Sequence, residues 1–370
     1  MGDPRGESLG QLAWRRFRKD SLAMFGSIVI LTAIIVAILG PLISPDDTPF
    51  ANRQHIELAA SAPGSAFPFF KQCSEPVQVG FFEKVISGQP DPCTYIVVHS
   101  YEVTGNVLRL EEYTGDTPNN GLIKEFSFED LGISDADQIE EFFITRTFLL
   151  GTDRFGRDLL SRMIVGSRVS LSVGLIAVSI SLLVGILLGS LAGFFRGWVD
   201  NVVMWFVTVV WSIPLLLLVI AITLAMGKGL WQVFIAVGMA MWVEVARIVR
   251  GQIMSIREKE FVEASRALGF STFRTITRHI LPNIMGPIIV ISAANFAAAI
   301  LIEAGLSFLG IGAQPPMPSW GSMIKDHYGY IIMDKAFLAV IPGLGILLLV
   351  LAFTLVGNGI RDALDVKSQD

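Results

Sequence analysis

The polar run EFVEASRALGFSTFRTITRHILP, from Glu260 to Pro282, has the residue types and spacing of a protein-docking surface. Its first half is a helical pattern that puts apolar and small side chains on one stripe, formed by Phe261, Ala264, Ser265 and Leu268. Gly269 then predicts a helix C-cap or a sharp turn. The chemistry expected here is non-covalent, because an apolar face rimmed by charge is typical of a site that another protein binds.

A second short helical pattern follows the glycine. Ser271 is predicted to cap it, and Phe273, Ile276 and Ile280 are predicted to share one face. A connector lying along a membrane surface would also be amphipathic. The run is longer than a plain link needs and exposes two phenylalanines, so we interpret it as a docking element.

Patterns of catalytic residues are missing from the sequence. No GxxxxGK[ST] phosphate loop occurs, and Gly227-Lys228-Gly229 lacks both the earlier glycine and the following hydroxyl residue. There is no Ser/His/Asp or HExxH arrangement either. The chain is therefore expected not to be an enzyme, to bind no cofactor, and to depend on a partner for energy.

Polar residues within apolar segments are the other candidates for function. Asn295 is expected either to line a pathway or to make a helix–helix contact. Glu303 could line an outer vestibule and meet a substrate's ammonium group, or make a helix-end hydrogen bond. Glu244, three residues before Arg247, is expected to form a helical pair or to extend toward the membrane surface.

The composition is that of a polytopic membrane protein. Of the 370 residues, 52% are hydrophobic and only 16% are charged, and the mean hydropathy is +0.59, which a soluble domain could not bury. Residues 46–150 hold 17 acidic and 6 basic side chains, although the whole chain has a net charge of only −5. An acidic insert thus interrupts a basic membrane core, and no nucleic-acid partner is expected.

Six stretches are long and apolar enough to cross a bilayer, which requires about 20 residues. They are Leu22–Ile43, Leu171–Phe195, Val202–Met226, Leu230–Val249, Pro282–Leu306 and Ala336–Val356. Pro214 within the third is expected to be tolerated. Glycines at 185, 189 and 193 form a four-residue ladder that predicts close helix packing. The first stretch is expected to be an uncleaved anchor.

The distribution of lysine and arginine predicts the orientation. Basic residues cluster before the first span and in the loop after the fourth, so both termini and the 252–281 loop are expected on the cytoplasmic side and the insert outside. Arg154, Arg157, Arg162 and Arg168 oppose this assignment, because they precede the second span on the predicted outer side.

The insert, residues 46–147, is predicted to be a small β-rich module with some helix. TYIVVHSYEV and NVLRLEEY read as strands around the turn at Gly105, and FEDLGISDADQIEEFF reads as a helix capped by Ser134. Cys73 and Cys93 could pair if the insert is exported, or remain two free thiols. His55 and His99 lack further ligands at suitable spacing, so no metal site is expected.

The docking run resembles the EAA loop of ABC-importer permeases. It has Glu263-Ala264-Ser265, then Gly269, then Leu281-Pro282, between the fourth and fifth of six spans; Ser265 replaces the usual second alanine, and His279 replaces the usual isoleucine. GTDRFGRDLLSRMIVGSRVSLSVG, GWVDNVVM, LSFLGIGAQPPMPSWGSMI and LVGNGIRDALD are similar to the C-type permeases of the dipeptide, oligopeptide and nickel transporters. The similarity covers the anchor and nearly all of residues 150–365, but not the insert.

The resemblance implies the ABC type I importer permease fold, that is, an all-α polytopic membrane protein with six transmembrane helices. The small extracytoplasmic α+β insert predicted above lies between helices 1 and 2 and is not part of the resemblance. It implies a cytoplasmic tail (1–21), an anchor (22–43), a permease core (150–360) and a second cytoplasmic tail (361–370). The ATPase-coupling residues would be Phe261, Glu263, Ala264, Ser265, Leu268, Gly269, Phe273, Leu281 and Pro282. Trp320 and Asp326 would lie at the outer gate, with structural anchoring as the alternative.

The implied partners are a B-type permease that forms a heterodimer with this chain, two ABC ATPase subunits, an extracytoplasmic solute-binding protein and the lipid bilayer of a bacterial inner membrane. Short peptides are the expected cargo, with nickel or another small solute as the alternative. A self-sufficient secondary transporter is a weaker hypothesis, because mid-membrane carboxylates and internal repeats are not evident. A membrane sensor would need a cytoplasmic signalling domain, for which the tail after Gly359 is too short.

Overall fold

The computed structural model describes residues 9–74, 80, 83–84, 88–115, 117 and 119–364. The α-helices are α1 (Leu9–Phe17), α2 (Ser21–Ile43), α3 (Phe128–Leu131), α4 (Leu159–Phe195), α5 (Gly197–Trp211), α6 (Leu215–Met226), α7 (Leu230–Ile256), α8 (Glu260–Ala267), α9 (Thr272–Arg274), α10 (Met285–Phe308), α11 (Trp320–His327) and α12 (Phe337–Leu364). The strands are β1 (Ser65–Cys73), β2 (Cys93–Thr104), β3 (Val107–Glu112), β4 (Ile123–Ser127) and β5 (Phe143–Phe148).

Five helical segments in the described residues are long and apolar enough to cross a membrane. They are α2, α4, α7, α12 and the helical run Thr272–Phe308, which ends with α10. A sixth segment qualifies only if α5 and α6 are counted together as one bent span. Three helices extend beyond the predicted spans: α4 begins at Leu159, α7 continues to Ile256 and α12 continues to Leu364.

The predicted span Val202–Met226 is not one continuous helix. The chain forms two helices there, α5 and α6, bent by 92° at a short break that contains Pro214. Proline lacks the N–H that a continuing helix needs and disfavours helical backbone in the residue before it. The Pro214 carbonyl instead accepts the first hydrogen bond of α6, from the Leu218 N–H at 3.0 Å.

The glycine ladder lies where α4 packs against α7, as the sequence predicts. A Cβ at Gly185 would lie 2.5 Å from Val245, and one at Gly189 would lie 2.6 Å from the Ala246 carbonyl oxygen. At Gly193 the Arg250 carbonyl oxygen would be 2.8 Å away. Only glycine permits this approach of two backbones.

Arg168 has a structural partner that explains its position in α4. Pro41 interrupts α2 and cannot donate to the carbonyl of Ala37, four residues earlier. The Arg168 guanidinium donates to the carbonyls of Ala37 and Ile38, the latter at 2.8 Å. This arginine therefore joins α4 to α2.

The insert contains a five-stranded antiparallel sheet in the order β4-β3-β2-β1-β5. The two predicted strands are β2 and β3, and Gly105 forms their turn with φ of +60°. Apolar side chains alternate across the sheet, so Phe70 and Val98 join one core, and Phe69 and Val97 join another. Cys73 and Cys93 are directly opposite each other on β1 and β2 and form a disulfide.

The predicted helix over residues 128–143 is instead two short helices. Ser127, not Ser134, caps α3 by accepting from the Asp130 N–H at 3.1 Å. Gly132 then adopts a left-handed conformation that ends α3, and a 3₁₀ helix, Ala136–Phe142, follows. The glycine therefore divides a segment whose apolar pattern alone favoured one helix.

The insert leaves the helical region and returns to it through adjacent strands. Ser65 pairs with Phe148 at the ends of β1 and β5, and the Gly64 N–H donates to the Phe148 carbonyl at 2.8 Å. Just beyond, the Thr152 N–H donates to the Ser61 carbonyl at 3.2 Å. The two connections to the membrane core are thus held side by side.

Candidate coupling surface and outer cleft

The connecting segment, residues 257–284, links α7 to α10 and folds as the two predicted short helices around a turn. The first is α8, and the second begins with α9 and continues as a π-helical turn, Thr275–Ile280, and a 3₁₀ turn, Leu281–Ile284. Gly269 has φ of +76°, with its N–H donating to the Arg266 carbonyl at 2.9 Å. A Cβ there would meet no atom within 4 Å, so the backbone conformation, not space, is what favours glycine.

The inner face of the connecting segment is apolar and packs on the helices. Val262, Ile276, Ile280 and Ile284 belong to one buried cluster with Val245, Val249, Ile253, Phe194 and Ile288. The cluster therefore joins α8 and the following turns to α4, α7 and α10.

The residues predicted to share one helix face in the connecting segment do so only in part. Ser265 does not share the exposed stripe of Phe261 and Leu268 but is buried, and its hydroxyl donates to the Val262 carbonyl at 2.7 Å. Phe273 is exposed, whereas Ile276 and Ile280 are buried, because the π turn that begins at Thr275 changes the helical spacing.

Three large apolar side chains form the exposed triplet: Phe261, Leu268 and Phe273, with exposed fractions of 43%, 72% and 77%. Glu263, Ala264 and Pro282 are also exposed, and Leu281 is half-buried against the cluster. The structure thus separates the sequence-predicted coupling residues into an outer set and an inner set, and Ser265 belongs to the inner one.

Polar contacts fix the connecting segment to the end of α4. The Arg257 guanidinium donates to the Phe194 carbonyl, and Arg196 donates to Glu258 at 2.5 Å. The guanidinium of Arg266 lies 4.9 Å from the centre of the Phe194 ring. Hydrogen bonding to Arg196 lowers the pKa of Glu258. These contacts join the connecting segment directly to the end of α4.

The two predicted pathway residues lie on α10 and are buried. Asn295 has a side-chain nitrogen with no hydrogen-bond partner among the described residues. Glu303 accepts from the Ser307 hydroxyl at 2.6 Å through one carboxyl oxygen, and its other oxygen has no hydrogen bond within the described ranges. Each side chain thus retains hydrogen-bonding capacity within the helical region.

Trp320 is buried where α11 packs on the membrane helices. Its indole N–H donates to the Met163 carbonyl at 2.9 Å, and its ring lies beside Gly166 and Gly345. These contacts are those expected of structural anchoring. Asp326 is half-exposed and pairs with Arg154 at 3.2 Å.

Glu244 is exposed and makes no ion pair with Arg247 in the described part of the chain. The Arg247 guanidinium instead lies 3.5 Å from the centre of the Trp211 ring. Glu244 lines a cleft of about 330 Å³ together with residues of the break between α5 and α6, among them Pro214. It therefore faces a groove on the surface of this chain.

A cleft of about 460 Å³, the outer cleft, lies at the end of the helical region that carries the insert. Its wall combines the DRFGRD turn, the loop after α10 and the start of the insert connection; among its lining residues are Asn52, Arg154, Arg157, Arg162, Lys325 and Asp326. This group was not predicted from the sequence, because its arginines were taken only as evidence on the orientation of the chain in the membrane. The spacing of these arginines around Asp153 and Asp158 was the sequence feature that could have indicated a cluster of charges.

Asp153 organises the base of the outer cleft. It is fully buried and accepts from Arg157 Nε at 2.6 Å and from the Phe155 N–H at 2.8 Å, and Arg162 Nε is 3.5 Å away. Nearby, the backbone N–H of Arg154 lies 3.3 Å from His327 Nε2, and the Nδ1 of that ring lies 2.7 Å from the Met323 carbonyl. Burial lowers the pKa of His327, which favours this neutral ring.

Comparisons with known proteins match both ends of the chain. The family model for the binding-protein-dependent transport system inner membrane component matches residues 185–368. The family model for the N-terminal TM domain of oligopeptide transport permease C matches residues 8–63. Among solved structures, the inward-facing MetNI methionine ABC transporter is similar in fold. The alignment covers 55% of this chain and 96% of the MetNI chain, with 18% identity and a TM-score of 0.46.

The curated relatives of this chain include the following two permeases. The glutathione transport system permease protein GsiD of Pectobacterium atrosepticum is 39% identical over 218 residues, which cover 59% of this chain and 72% of the relative. The di/tripeptide transport system permease protein DppC of Pseudomonas aeruginosa is 43% identical over 242 residues, which cover 63% and 79%. The chain therefore belongs to the inner-membrane permeases of binding-protein-dependent ABC transporters, as a C-type member of the dipeptide and oligopeptide group.

Proposed function

We propose that this chain is the C-type permease subunit of an ATP-driven importer of short peptides. Relatives that are about 40% identical are named for the transport of dipeptides, tripeptides and oligopeptides, and this supports the cargo. The chain itself is non-catalytic, and its proposed partners are a B-type permease, two ATPase subunits and an extracytoplasmic solute-binding protein. With the B-type permease it would enclose the pathway for the peptide.

The exposed triplet is the observation that carries the proposed mechanism. Phe261, Leu268 and Phe273 present apolar surface to solvent on a segment that is fixed from behind by the buried cluster. Apolar side chains held rigidly in this way bind a partner with little loss of conformational entropy. We infer that a groove of the ATPase subunit receives them.

Transport would then follow from movement of this segment. When the two ATPase subunits close on ATP, they would push α8 and the turn at Gly269, and the contacts with Phe194 and Glu258 would carry the displacement into α4 and α7. Because packed cores shift between discrete arrangements and do not deform continuously, this would exchange inward-open and outward-open states. Asn295, Glu303 and Asp326 are proposed pathway residues, and Trp320 is a structural support of the gate.

We propose that both termini and the connecting segment are cytoplasmic and that the insert is extracytoplasmic. The proposed divisions are 1–21 and 361–370 as tails, 22–43 as the anchor, 46–147 as the insert and 150–360 as the core; parts of both tails lie outside the described residues. The disulfide between Cys73 and Cys93 supports this orientation, since disulfides persist in oxidising compartments. Three of the opposing arginines have partners: Arg154 pairs with Asp326, Arg157 pairs with Asp153, and Arg168 donates to backbone carbonyls.

The decisive experiment is co-purification of partners with the native chain and with Phe273→Asp. The substitution puts a charge on the most exposed side chain of the triplet, where burying it against a partner would be costly. We expect the native chain to retain an ATPase and a second permease, and the variant to lose the ATPase while remaining in the membrane. Leu122→Asp is the matched control, because Leu122 is an exposed leucine of the insert (71%).

Retention of the ATPase by Phe273→Asp at the native level would refute the docking role of the triplet. A native chain that retains neither partner in any mild detergent would refute the importer function itself. Stimulation of ATP hydrolysis by a peptide-loaded binding protein would then test the cargo.

A further inference from the structure

The outer cleft carries more positive charge than its own acidic groups neutralise. Arg154, Arg157, Arg162 and Lys325 line it, and Asp326 is the acidic lining residue. Asp326 pairs with Arg154, and the buried Asp153 beneath the cleft pairs with Arg157, so Arg162 shares an occupied carboxylate at 3.5 Å and Lys325 has no ion pair among the described residues. The excess lies outside the helical bundle's apolar region, in a concave surface that is open to solvent.

Arg162 is the charge with the least compensation. Its side chain is only 6% exposed, yet its Nε is 3.5 Å from Asp153, which is too long for a good hydrogen bond, and Arg157 already donates to the same carboxyl oxygen at 2.6 Å. Its Nη1 is buried with no hydrogen-bond partner in the described part of the chain. A buried guanidinium group left with free donors is costly unless a ligand satisfies it.

Neighbouring groups complete a site of suitable shape. Lys325 forms no ion pair with any described residue, and its ammonium group lies beside Gly310 at the cleft. Ser322 and Gln314 add neutral polar groups to the wall. A volume of about 460 Å³ lies in the range of small-molecule sites.

We propose that the outer cleft binds the C-terminal carboxylate of the incoming peptide, with Arg162 as its principal ligand and Lys325 as a second cation. This inference rests on the proposed peptide function. Guanidinium groups bind carboxylates through short, charge-assisted hydrogen bonds, which is the bonding that Arg162 lacks. The peptide would meet this site after leaving the binding protein and before entering the pathway beside Glu303.

The depth of Arg162 favours a small ligand over an acidic side chain of the binding protein. Arg154 and Asp326 lie at the rim, where their side chains are 37% and 30% exposed, and a docked protein would contact these first. Arg162 lies in the wall of the cleft and its side chain is only 6% exposed, so a ligand that fits within the cleft is favoured over a side chain of a folded partner.

The test compares alanine peptides of two to four residues with the same peptides as C-terminal amides. Binding is measured by saturation-transfer NMR on the purified permease–ATPase complex without the binding protein, so that the selectivity of that protein does not enter. We expect the native complex to prefer the free acid by about tenfold, the magnitude of one charge-assisted hydrogen bond. Arg162→Gln should abolish the preference, and Lys325→Gln should reduce it about threefold.

Lys124→Gln is the matched control, because it removes a lysine charge from the insert, where Lys124 pairs with Glu112. Lys325 is exposed and unpaired within the described residues, so its variant tests the site even if Arg162→Gln fails to fold. Equal binding of acids and amides by the native complex, or a preference unchanged in Lys325→Gln, would overturn the inference.

Two further outcomes separate the alternatives. If Arg162→Gln leaves the acid preference intact but weakens stimulation of ATP hydrolysis by the binding protein, the cleft binds a carboxylate of that protein and the inference is wrong. If the assembled complex binds no peptide in either form and no peptide-loaded binding protein stimulates it, the proposed peptide function fails together with the inference.

Discussion

Burial of single side chains distinguishes two roles within the connecting segment. Phe273 is 77% exposed, whereas Ser265, eight residues earlier, is almost fully buried. The hydroxyl of Ser265 bonds within its own helix turn and lies 3.4 Å from the Thr275 hydroxyl. Exposed residues such as Phe273 are available to a partner, whereas buried residues such as Ser265 determine how α8 packs on the turn that follows.

Ser265→Ala should therefore be tolerated. The change removes one hydrogen bond within the helix turn and a 3.4 Å contact with the Thr275 hydroxyl, so the cost should be about 1 kcal/mol. We expect native amounts of ATPase to co-purify. Ser265→Phe is the contrasting variant, since overfilling this site should displace α8 and weaken ATPase binding; equal behaviour of the two variants would contradict the assignment of Ser265 to the inner face.

Asp153→Asn should be one of the most destabilising single changes outside the membrane helices. Asp153 is fully buried and is shared by Arg157 and Arg162, so removing its charge leaves two buried guanidinium groups without a counterion. Breaking a buried pair in this way costs about 3–5 kcal/mol. Thermal unfolding in detergent should show a clear loss of stability, whereas Asp137→Asn, an exposed change in the insert, should show none.

At the scale of secondary-structure elements, regular sequence patterns predicted the structure correctly, whereas irregular breaks and long-range assemblies were not predicted. The alternation in β2 and β3, the glycine ladder of α4 and the turn at Gly269 all follow from local rules. The 92° break at Pro214 was missed because proline is often accommodated within membrane helices. The outer cleft could not be predicted, because it assembles residues that are more than a hundred positions apart, such as Asn52 and Arg157.

The junction between the insert and the helices should be sensitive to acid. His55 packs on Phe69 and Tyr95, and burial, reinforced by the charges of Arg146 and Arg53, lowers its pKa from 6.5 to about 4. Since the unfolded chain binds a proton at higher pH than the folded chain does, this contribution is fully present above pH 6.5. It is lost as the pH falls toward 4, with a magnitude of about 3 kcal/mol or less.

The measurement is the unfolding temperature of the full chain between pH 7 and pH 4, for the native protein and for His55→Phe. The difference between the two curves isolates the histidine from the carboxylates that titrate in the same range. We expect His55→Phe to lose less stability on acidification. Parallel curves would show that the folded protein protonates His55 as readily as the unfolded chain.

At the scale of the whole molecule, we expect the sheet of the insert and the membrane helices to fold as separate units. The insert has its own apolar clusters on both sides of its sheet, and the core is held by helix contacts that do not involve the strands. Among the described residues 46–64, which precede β1, Leu58 packs into the cluster that contains Phe69, Val97 and Phe148, whereas Ala60 packs with the helices. We therefore expect the core to fold without residues 65–147.

Replacing residues 65–147 with a short Gly-Ser linker should leave a chain that enters the membrane and retains its ATPase. The paired ends of β1 and β5 are about 5 Å apart, as in any antiparallel pair, so a few residues close the gap. Leu58→Ser and Phe148→Ser should accompany the deletion, because both side chains pack on residues that it removes. Degradation of this shortened chain in cells that accumulate the native one would contradict the independence of the two units.

The side-by-side exit and return of the insert has a practical consequence. Any folded domain whose own termini are close together can be spliced between Gly64 and Phe148 without forcing the membrane helices apart. A fluorescent protein or an affinity tag placed there would report on assembly while leaving the connecting segment and the outer cleft untouched. The same geometry lets a gene acquire, lengthen or discard such a module in one step.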